Sequence, residues 1–155
     1  MADQHSTEYK ARYVTLPASM ASRNKQDLVK TIYAKWDLSV AAASVATSDT
    51  VYLAKIPKGA RVIDAIVKHG DLGTGGTVDI GWQASADGLE TADADGIFAA
   101  LDVQTAADAL YAANSVASPP AVGKEFAGEV NVVLVPSQNI NPGTSGTLEL
   151  FIHYV

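Results

Sequence analysis

Short runs in which apolar and polar residues alternate are the feature that most restricts the fold of this chain. They include VKTIYAKWDL (29–38), TVYLAKI (50–56), RVIDAIVKH (61–69), TVDIGW (77–82), VNVVLVP (130–136) and GTLELFIHYV (146–155). A period of two, richness in Val and Ile, and bounding Gly or Pro residues are typical of half-buried β-strands. The sequence therefore predicts an all-β fold of six to eight strands.

The alternation also places the side chains of each run together on one face, and which face is core and which is a subunit interface stays open. The predicted faces are Ile32, Ala34, Trp36 and Leu38; Tyr52, Ala54 and Ile56; Ile63, Ala65 and Val67; Val78, Ile80 and Trp82; Val130, Val132 and Leu134; and Leu148, Leu150, Ile152 and Tyr154. On the last strand, His153 alternates with Glu149 and Phe151 on the opposite face. Such two-sided strands are expected in a sheet with one face against a core.

The remaining segments complete the predicted architecture. TAADALYAAN (105–114) favours a short helix because it is rich in alanine, and SPPAVG ends it. Residues 1–25 mix charged and polar side chains without periodicity, which predicts an extended N-terminal arm before a single domain, 26–155. The expected fold is an antiparallel β-sandwich, jelly-roll-like rather than a meander, with at most one short helix.

Composition narrows the possible functions. The chain has 155 residues, is 48% hydrophobic and contains no cysteine, which excludes disulfides and thiolate metal sites. The polar start MADQHSTEYK lacks the pattern of a secretory signal, and no apolar run approaches the ~20 residues that span a bilayer. We therefore expect a soluble protein that does not bind membranes.

Charge is distributed unevenly. Residues 1–35 hold six basic and three acidic side chains, whereas residues 69–155 hold one base, Lys124, and eleven acids. An acidic body repels nucleic acid, so DNA or RNA binding is not expected. The basic arm suits an acidic neighbour, including another copy of the chain.

The glycine-rich segment GDLGTGG (70–76) lies between two predicted strands. A phosphate-binding loop needs a Lys followed by Ser or Thr, and a helix after it, because these groups meet the phosphates. Neither is present here, so the segment is predicted to be a corner between strands. The PKG triplet at 57–59 is predicted to be a hairpin turn.

Acidic residues in the segment QASADGLETADADG (83–96) suggest a cation site. With Gly96 at the sixth position of a calcium loop, the ligands would be Thr91, Asp93, Asp95 and Asp102. The first position is not Asp and the twelfth is not Glu, so a solvated loop is the favoured interpretation. Cation binding by residues 87–102 stays open at this point.

No catalytic pattern stands out. The three histidines, His5, His69 and His153, are widely separated and are interpreted as surface or interface residues. The carboxylates of Asp93 and Asp95 are interpreted as a solvated pair. Serine does not occur in a G-x-S-x-G elbow. The sequence thus predicts neither an enzyme nor a bound cofactor.

Four segments spread over most of the chain carry a resemblance to a known family. They are MADQHSTEYK, LAKIPKGARVIDAIV, the glycine corner before TVDIGW, and GTLELFIHYV. In these the chain resembles the head-decoration, or capsid cement, proteins of tailed bacteriophages. The resemblance implies a sandwich subunit, commonly a homotrimer, on the outer surface of the virion, where it bridges neighbouring major capsid proteins.

In that role the arm is expected to contact a neighbouring subunit or the shell. The residues assigned to this contact are Lys10, Arg12, Tyr13, Arg23 and Lys25. Two other classes remain open: a tail-tube or fibre-associated structural module, and a carbohydrate-binding β-sandwich. The second would use an aromatic platform formed by Tyr33, Trp36, Tyr52 and Trp82.

Overall fold

The computed structural model describes residues 29–37, 45–72, 76–104, 106–111, 121–140 and 146–155. Within these ranges the chain forms eight β-strands and no helix, and so none that could span a membrane. The strands are β1 (Lys30–Asp37), β2 (Val51–Ile56), β3 (Val62–His69), β4 (Thr77–Trp82), β5 (Asp93–Asp102), β6 (Ala107–Tyr111), β7 (Val130–Pro136) and β8 (Thr147–Tyr154).

The strands form two four-stranded antiparallel sheets. The first sheet has the strand order β1-β8-β3-β6, and the second sheet has the order β2-β7-β4-β5. Strand β1 pairs with β8, β2 with β7, β3 with β6, and β4 with β5. This is a long hairpin wrapped around a core, which is the jelly-roll arrangement. The predicted antiparallel β-sandwich is confirmed.

The core lies between the sheets. The residues predicted to share a face on β4, β7 and β8 do so, and these faces form the core, apart from Tyr154, which is partly buried. Other buried residues come from connections: Leu72, Ala121, Phe126 and Ile140. The connections as well as the strands therefore close the core.

The faces predicted for β2 and β3 are wrong at the beginning of each strand. On β2, Tyr52 is 62% exposed whereas Ala54 packs against the core, and the register against β7 shifts between these two residues. Val62 is buried with Ala65 and Val67, whereas Ile63 is 44% exposed. A register shift against β8 between Val62 and Asp64 places one extra residue in β3. Such a bulge reverses the side-chain alternation, which a strict period of two cannot represent.

The predicted helix over 105–114 is also wrong where it can be compared. Residues 107–111 form β6, which pairs with β3 at Ile66 and Val67. Without this pairing the backbone edge of β3 would lack hydrogen bonds along that side. Tertiary pairing thus overrides the helix propensity of alanine. Residues 105 and 112–114 lie outside the described part.

Two connections differ in how they match the prediction. The glycine segment leads from β3 to β4 with no helix after it, so the predicted corner is confirmed, although residues 73–75 are not described. The 57–59 turn is not a hairpin, because β2 and β3 belong to different sheets. Gly59, with φ of 81°, allows this crossing between sheets.

Candidate functional site

The outer face of the first sheet is organised in rows that run across its strands. Strand register places Tyr33, Phe151 and Ile66 side by side on β1, β8 and β3. The rings of Tyr33 and Phe151 have centroids 4.9 Å apart. Tyr33 is 53% exposed. We call these three residues the apolar row, and the described residues leave it exposed at Tyr33 and partly exposed at Phe151 and Ile66.

A polar row and a charged row border the apolar row. The polar row is Thr31, His153 and Asp64, and the charged row is Lys35, Glu149 and Lys68. Within the polar row, Thr31 Oγ1 lies 3.0 Å from His153 Nδ1. Asp64 Oδ1 accepts a hydrogen bond of 2.8 Å from the backbone N–H of Ala65. Every residue of both rows is exposed or partly exposed.

The electrostatics of this face couple the apolar and charged rows. Partial desolvation raises the pKa of the Tyr33 phenol, and the neighbouring Glu149 carboxylate raises it further. Along the charged row the sign of the charge alternates, from Lys35 to Glu149 to Lys68. The face therefore offers an apolar centre between polar groups of both signs, which suits a protein surface better than a small anion.

The outer face of the second sheet is closed by its own chain. Val132 and Leu134 point to the core, so Val133 points outward, yet Val133 is only 2% exposed. A Cβ added at Gly81, which pairs with Val133, would collide with the backbone of Asp93 and Ala94. Nearby, the Tyr52 hydroxyl accepts a hydrogen bond of 3.1 Å from Gln83 Nε2. The centre of this face is therefore covered by the chain itself, whereas Tyr52 at its edge is 62% exposed.

One end of the sandwich contains a buried ion pair. Glu90 is 7% exposed, accepts a hydrogen bond of 2.6 Å from the N–H of Ala127, and lies 2.9 Å from Lys124 Nζ. Lys124 also lies over the rings of Trp82 and Phe126, at 5.9 and 5.3 Å from their centroids. Burial alone raises the pKa of Glu90, but the Ala127 hydrogen bond and Lys124 bring it below its ordinary value. These contacts fasten the β4–β5 loop to the β6–β7 connection.

The calcium-loop hypothesis does not fit the strand geometry. Asp93 and Asp102 are the two ends of β5 and pair with Trp82 and Thr77, the two ends of β4. Five residue steps separate those partners, or about 17 Å, too far for one ion. No group of three or more His, Cys, Asp or Glu residues placed to hold a metal occurs among the described residues.

Of the predicted solvated pair, Asp95 is exposed and Asp93 is partly buried. Partial burial raises the pKa of Asp93, and the adjacent Asp95 carboxylate raises it further. Asp93 begins a strand and was expected to lie within a loop. The two carboxylates are thus close enough to repel each other when both are charged.

The structure separates the other predicted site residues. Tyr33 and Tyr52 lie on the outer faces of different sheets, whereas Trp82 is buried and Trp36 packs against the core. They form no common sugar-binding platform. The assigned arm residues lie outside the described part of the chain: Lys10, Arg12, Tyr13, Arg23 and Lys25.

The histidines likewise fall in different places. His69 is buried at 3% exposure within the single chain, with Nδ1 3.0 Å from the carbonyl oxygen of Gly70, so its interpretation as a surface or interface residue is wrong. His153 lies on the outer face with Glu149 and Phe151, as predicted. His5 is not described. Sequence reasoning found the members of the rows on β8 but not their neighbours on β1 and β3, because those depend on register.

Comparisons with known proteins give matches in fold only. No protein-family model and no curated protein matches the chain. A chain in the cyanophage Pam1 capsid asymmetric unit matches with a TM-score of 0.57 and 20% identity, over 81% of this chain and 83% of that one. A chain in the capsid of Ralstonia phage GP4 matches with a TM-score of 0.56 and 22% identity, over 81% and 84%. This chain shares its fold with chains of phage capsid structures.

Proposed function

We propose that the chain is a structural protein of a phage virion, which binds the outer surface of the assembled capsid and bridges neighbouring major capsid proteins. The observation that carries the proposal is the jelly-roll likeness, over 81% of the chain, to chains in two phage capsid structures. The four sequence segments that resemble head-decoration proteins support the decorating position. An open apolar face and an acidic body add the surface expected of a protein that binds other proteins.

Such a protein stabilises a shell through linkage. Its binding site spans neighbouring subunits and exists only in the assembled lattice, so binding favours assembly over dissociation. Each contact can be weak, because many copies bound to one shell hold many subunit pairs together. No catalytic group is required, and the proposed role is structural rather than enzymatic.

The N-terminal arm is proposed to supply the contact that reaches beyond the sandwich. Its basic residues, with Tyr13, would lie against acidic groups of a neighbouring subunit or of the shell. A homotrimer is the oligomer implied by the family resemblance, and it remains part of this proposal. A matched test uses the full chain with Arg12, Arg23 and Lys25 changed to Glu, beside a variant with Lys55 changed to Glu on the second sheet.

The test is co-sedimentation with empty shells assembled from the major capsid protein of the same phage. We expect the unchanged chain to sediment with shells and to raise their melting temperature. The triple arm variant should bind at least about tenfold more weakly, whereas the Lys55 variant should bind normally. Failure of the unchanged chain to bind shells would overturn the proposal. Growth into rings or tubes without shells would favour the tail-tube alternative, and glycan binding would favour the carbohydrate-binding one.

A further inference from the structure

The apolar row is a feature of the described surface that the fold itself does not use. Tyr33 and Ile63 on this face are 53% and 44% exposed, and Phe151 and Ile66 are partly exposed beside them. We propose that the outer face of the first sheet docks against the same face of a second copy of the chain, related by a two-fold axis that runs along the apolar row. This pairing concerns the purified chain and does not rest on the proposed capsid role.

The polar and charged rows are complementary under this operation. Rotation about the apolar row places each apolar residue opposite its own counterpart and exchanges the two bordering rows. Asp64 then faces Lys68 of the second copy, and Glu149 faces His153 of the second copy. Thr31 faces the remaining lysine, Lys35. Each contact occurs twice, as expected of an isologous interface.

The alternative two-fold axis, along β8, is disfavoured by charge. It would place Glu149 opposite Glu149 of the second copy and Lys35 opposite Lys68. Like charges in direct opposition weaken an interface, so they select the first axis over the second. The same pattern argues for a second copy over an unrelated partner, because the face carries both members of the Asp64–Lys68 pair and of the Glu149–His153 pair.

The backbone geometry is compatible with this arrangement. An axis along the row, across the strands, leaves the strands of the two copies nearly aligned, which is a usual way for sheets to stack at about 10 Å. Three rows about 7 Å apart on three strands about 4.8 Å apart cover roughly 300 Å² per copy, which is small for a stable dimer. The pairing is therefore of the weak, reversible class and is strengthened when copies are held close together.

Cysteine cross-linking tests the axis directly, because the chain has no cysteine of its own. A short bis-maleimide linker is used, since sheets about 10 Å apart are too far for a disulfide. Ile66→Cys should cross-link to itself. Asp64→Cys and Lys68→Cys should each fail alone but should cross-link when mixed. Lys55→Cys, on the second sheet, is the negative control.

The alternative outcomes are distinct. Cross-linking of Lys35→Cys to Lys68→Cys in a mixture would establish the other axis and overturn the proposal. Cross-linking no greater than that of the Lys55→Cys control, for every variant of the first sheet, would show that the face does not pair. Each product is read as a two-chain band, so the result holds whether or not the copies also form trimers.

A charge exchange gives an independent measurement. Asp64→Lys and Lys68→Asp each replace two attractive contacts by two repulsive ones, so each should weaken association by about tenfold in sedimentation equilibrium. The double variant Asp64→Lys/Lys68→Asp restores opposite charges across the axis and should recover most of the loss. Equal melting temperatures of the isolated variants would establish that all are folded. A double variant that associates no better than either single one would contradict the pairing.

Discussion

On the first sheet the outward-facing Tyr33 is 53% exposed, whereas on the second sheet the outward-facing Val133 is 2% exposed. Both sheets have four strands and share one core, so the difference lies in what covers them. The second sheet is closed by the start of β5 and by polar contacts such as that between Gln83 and Tyr52. The centre of the second sheet is covered by its own chain, although Tyr52 at its edge is 62% exposed, whereas the described residues leave the centre of the first sheet uncovered.

The comparison predicts that backbone packing on the second sheet tolerates almost no change. Gly81→Ala would push a methyl group into the backbone of Asp93 and Ala94, and we expect a loss of about 3 kcal/mol or more in the free energy of unfolding. Gly70→Ala is the matched control, because its Cβ would meet neighbours only at 3.4 Å and beyond. Urea denaturation measures both, and an equal effect of the two changes would contradict the closed second sheet.

The buried ion pair is expected to have the next largest effect. Lys124→Met leaves the Glu90 carboxylate buried without its cation, which should lower the free energy of unfolding by about 2–3 kcal/mol. Adding Glu90→Gln should restore part of the loss, and Lys35→Met on the first sheet should change little. Chemical denaturation at neutral pH measures the free energy of unfolding of each variant. If the double variant shows no recovery, the loss comes from the packing of Lys124 over the rings of Trp82 and Phe126.

The same pair sets a pH dependence. Because the folded-state pKa of Glu90 lies below its ordinary value near 4.5, its contribution to stability is complete above that value. The contribution is lost as the pH falls through the lower, folded-state pKa. Melting curves below pH 4.5 should therefore show a steeper acid loss in the unchanged chain than in the Glu90→Gln variant.

Alanine substitutions compare the two outer faces directly. Val133→Ala should lower the free energy of unfolding by about 1–2 kcal/mol because it removes buried methyl groups. Tyr33→Ala should change that free energy by about 0.5 kcal/mol or less in dilute solution, where copies do not pair. The same Tyr33 variant should lose association at high concentration. A large loss of stability in dilute Tyr33→Ala would show that the first face is supported within one chain.

A substitution at Asp93 is expected to have an effect of the opposite sign. Partial burial and Asp95 raise the pKa of Asp93, so the folded chain binds that proton more tightly than the unfolded chain. Asp93→Asn should therefore stabilise the chain at pH 7 by about 0.5–1 kcal/mol. The gain should disappear in acid, where the carboxyl group is protonated. Thermal melts at several pH values measure it, and a constant difference would contradict an electrostatic cause.

The sequence predicted those parts of the fold that depend on local alternation. The buried faces of β4, β7 and β8 follow from their own residues, since every second residue of each strand is apolar. The bulge in β3 and the strand at β6 depend on pairing partners distant in sequence, which no local window contains. The same holds for the candidate site: Phe151 was placed with His153 and Glu149, but Tyr33 and Ile66 join them only through register.

The long hairpin of the jelly roll also has a kinetic consequence. Thr31 and His153 lie 122 residues apart, yet they are neighbours because β8 enters between β1 and β3. Contacts this distant slow folding, typically to milliseconds or seconds for such β topologies. During synthesis, β1 remains without its strand partner until β8 has emerged from the ribosome. The apolar row is therefore assembled only when β8 is inserted, which delays recognition through this face until the first sheet is complete.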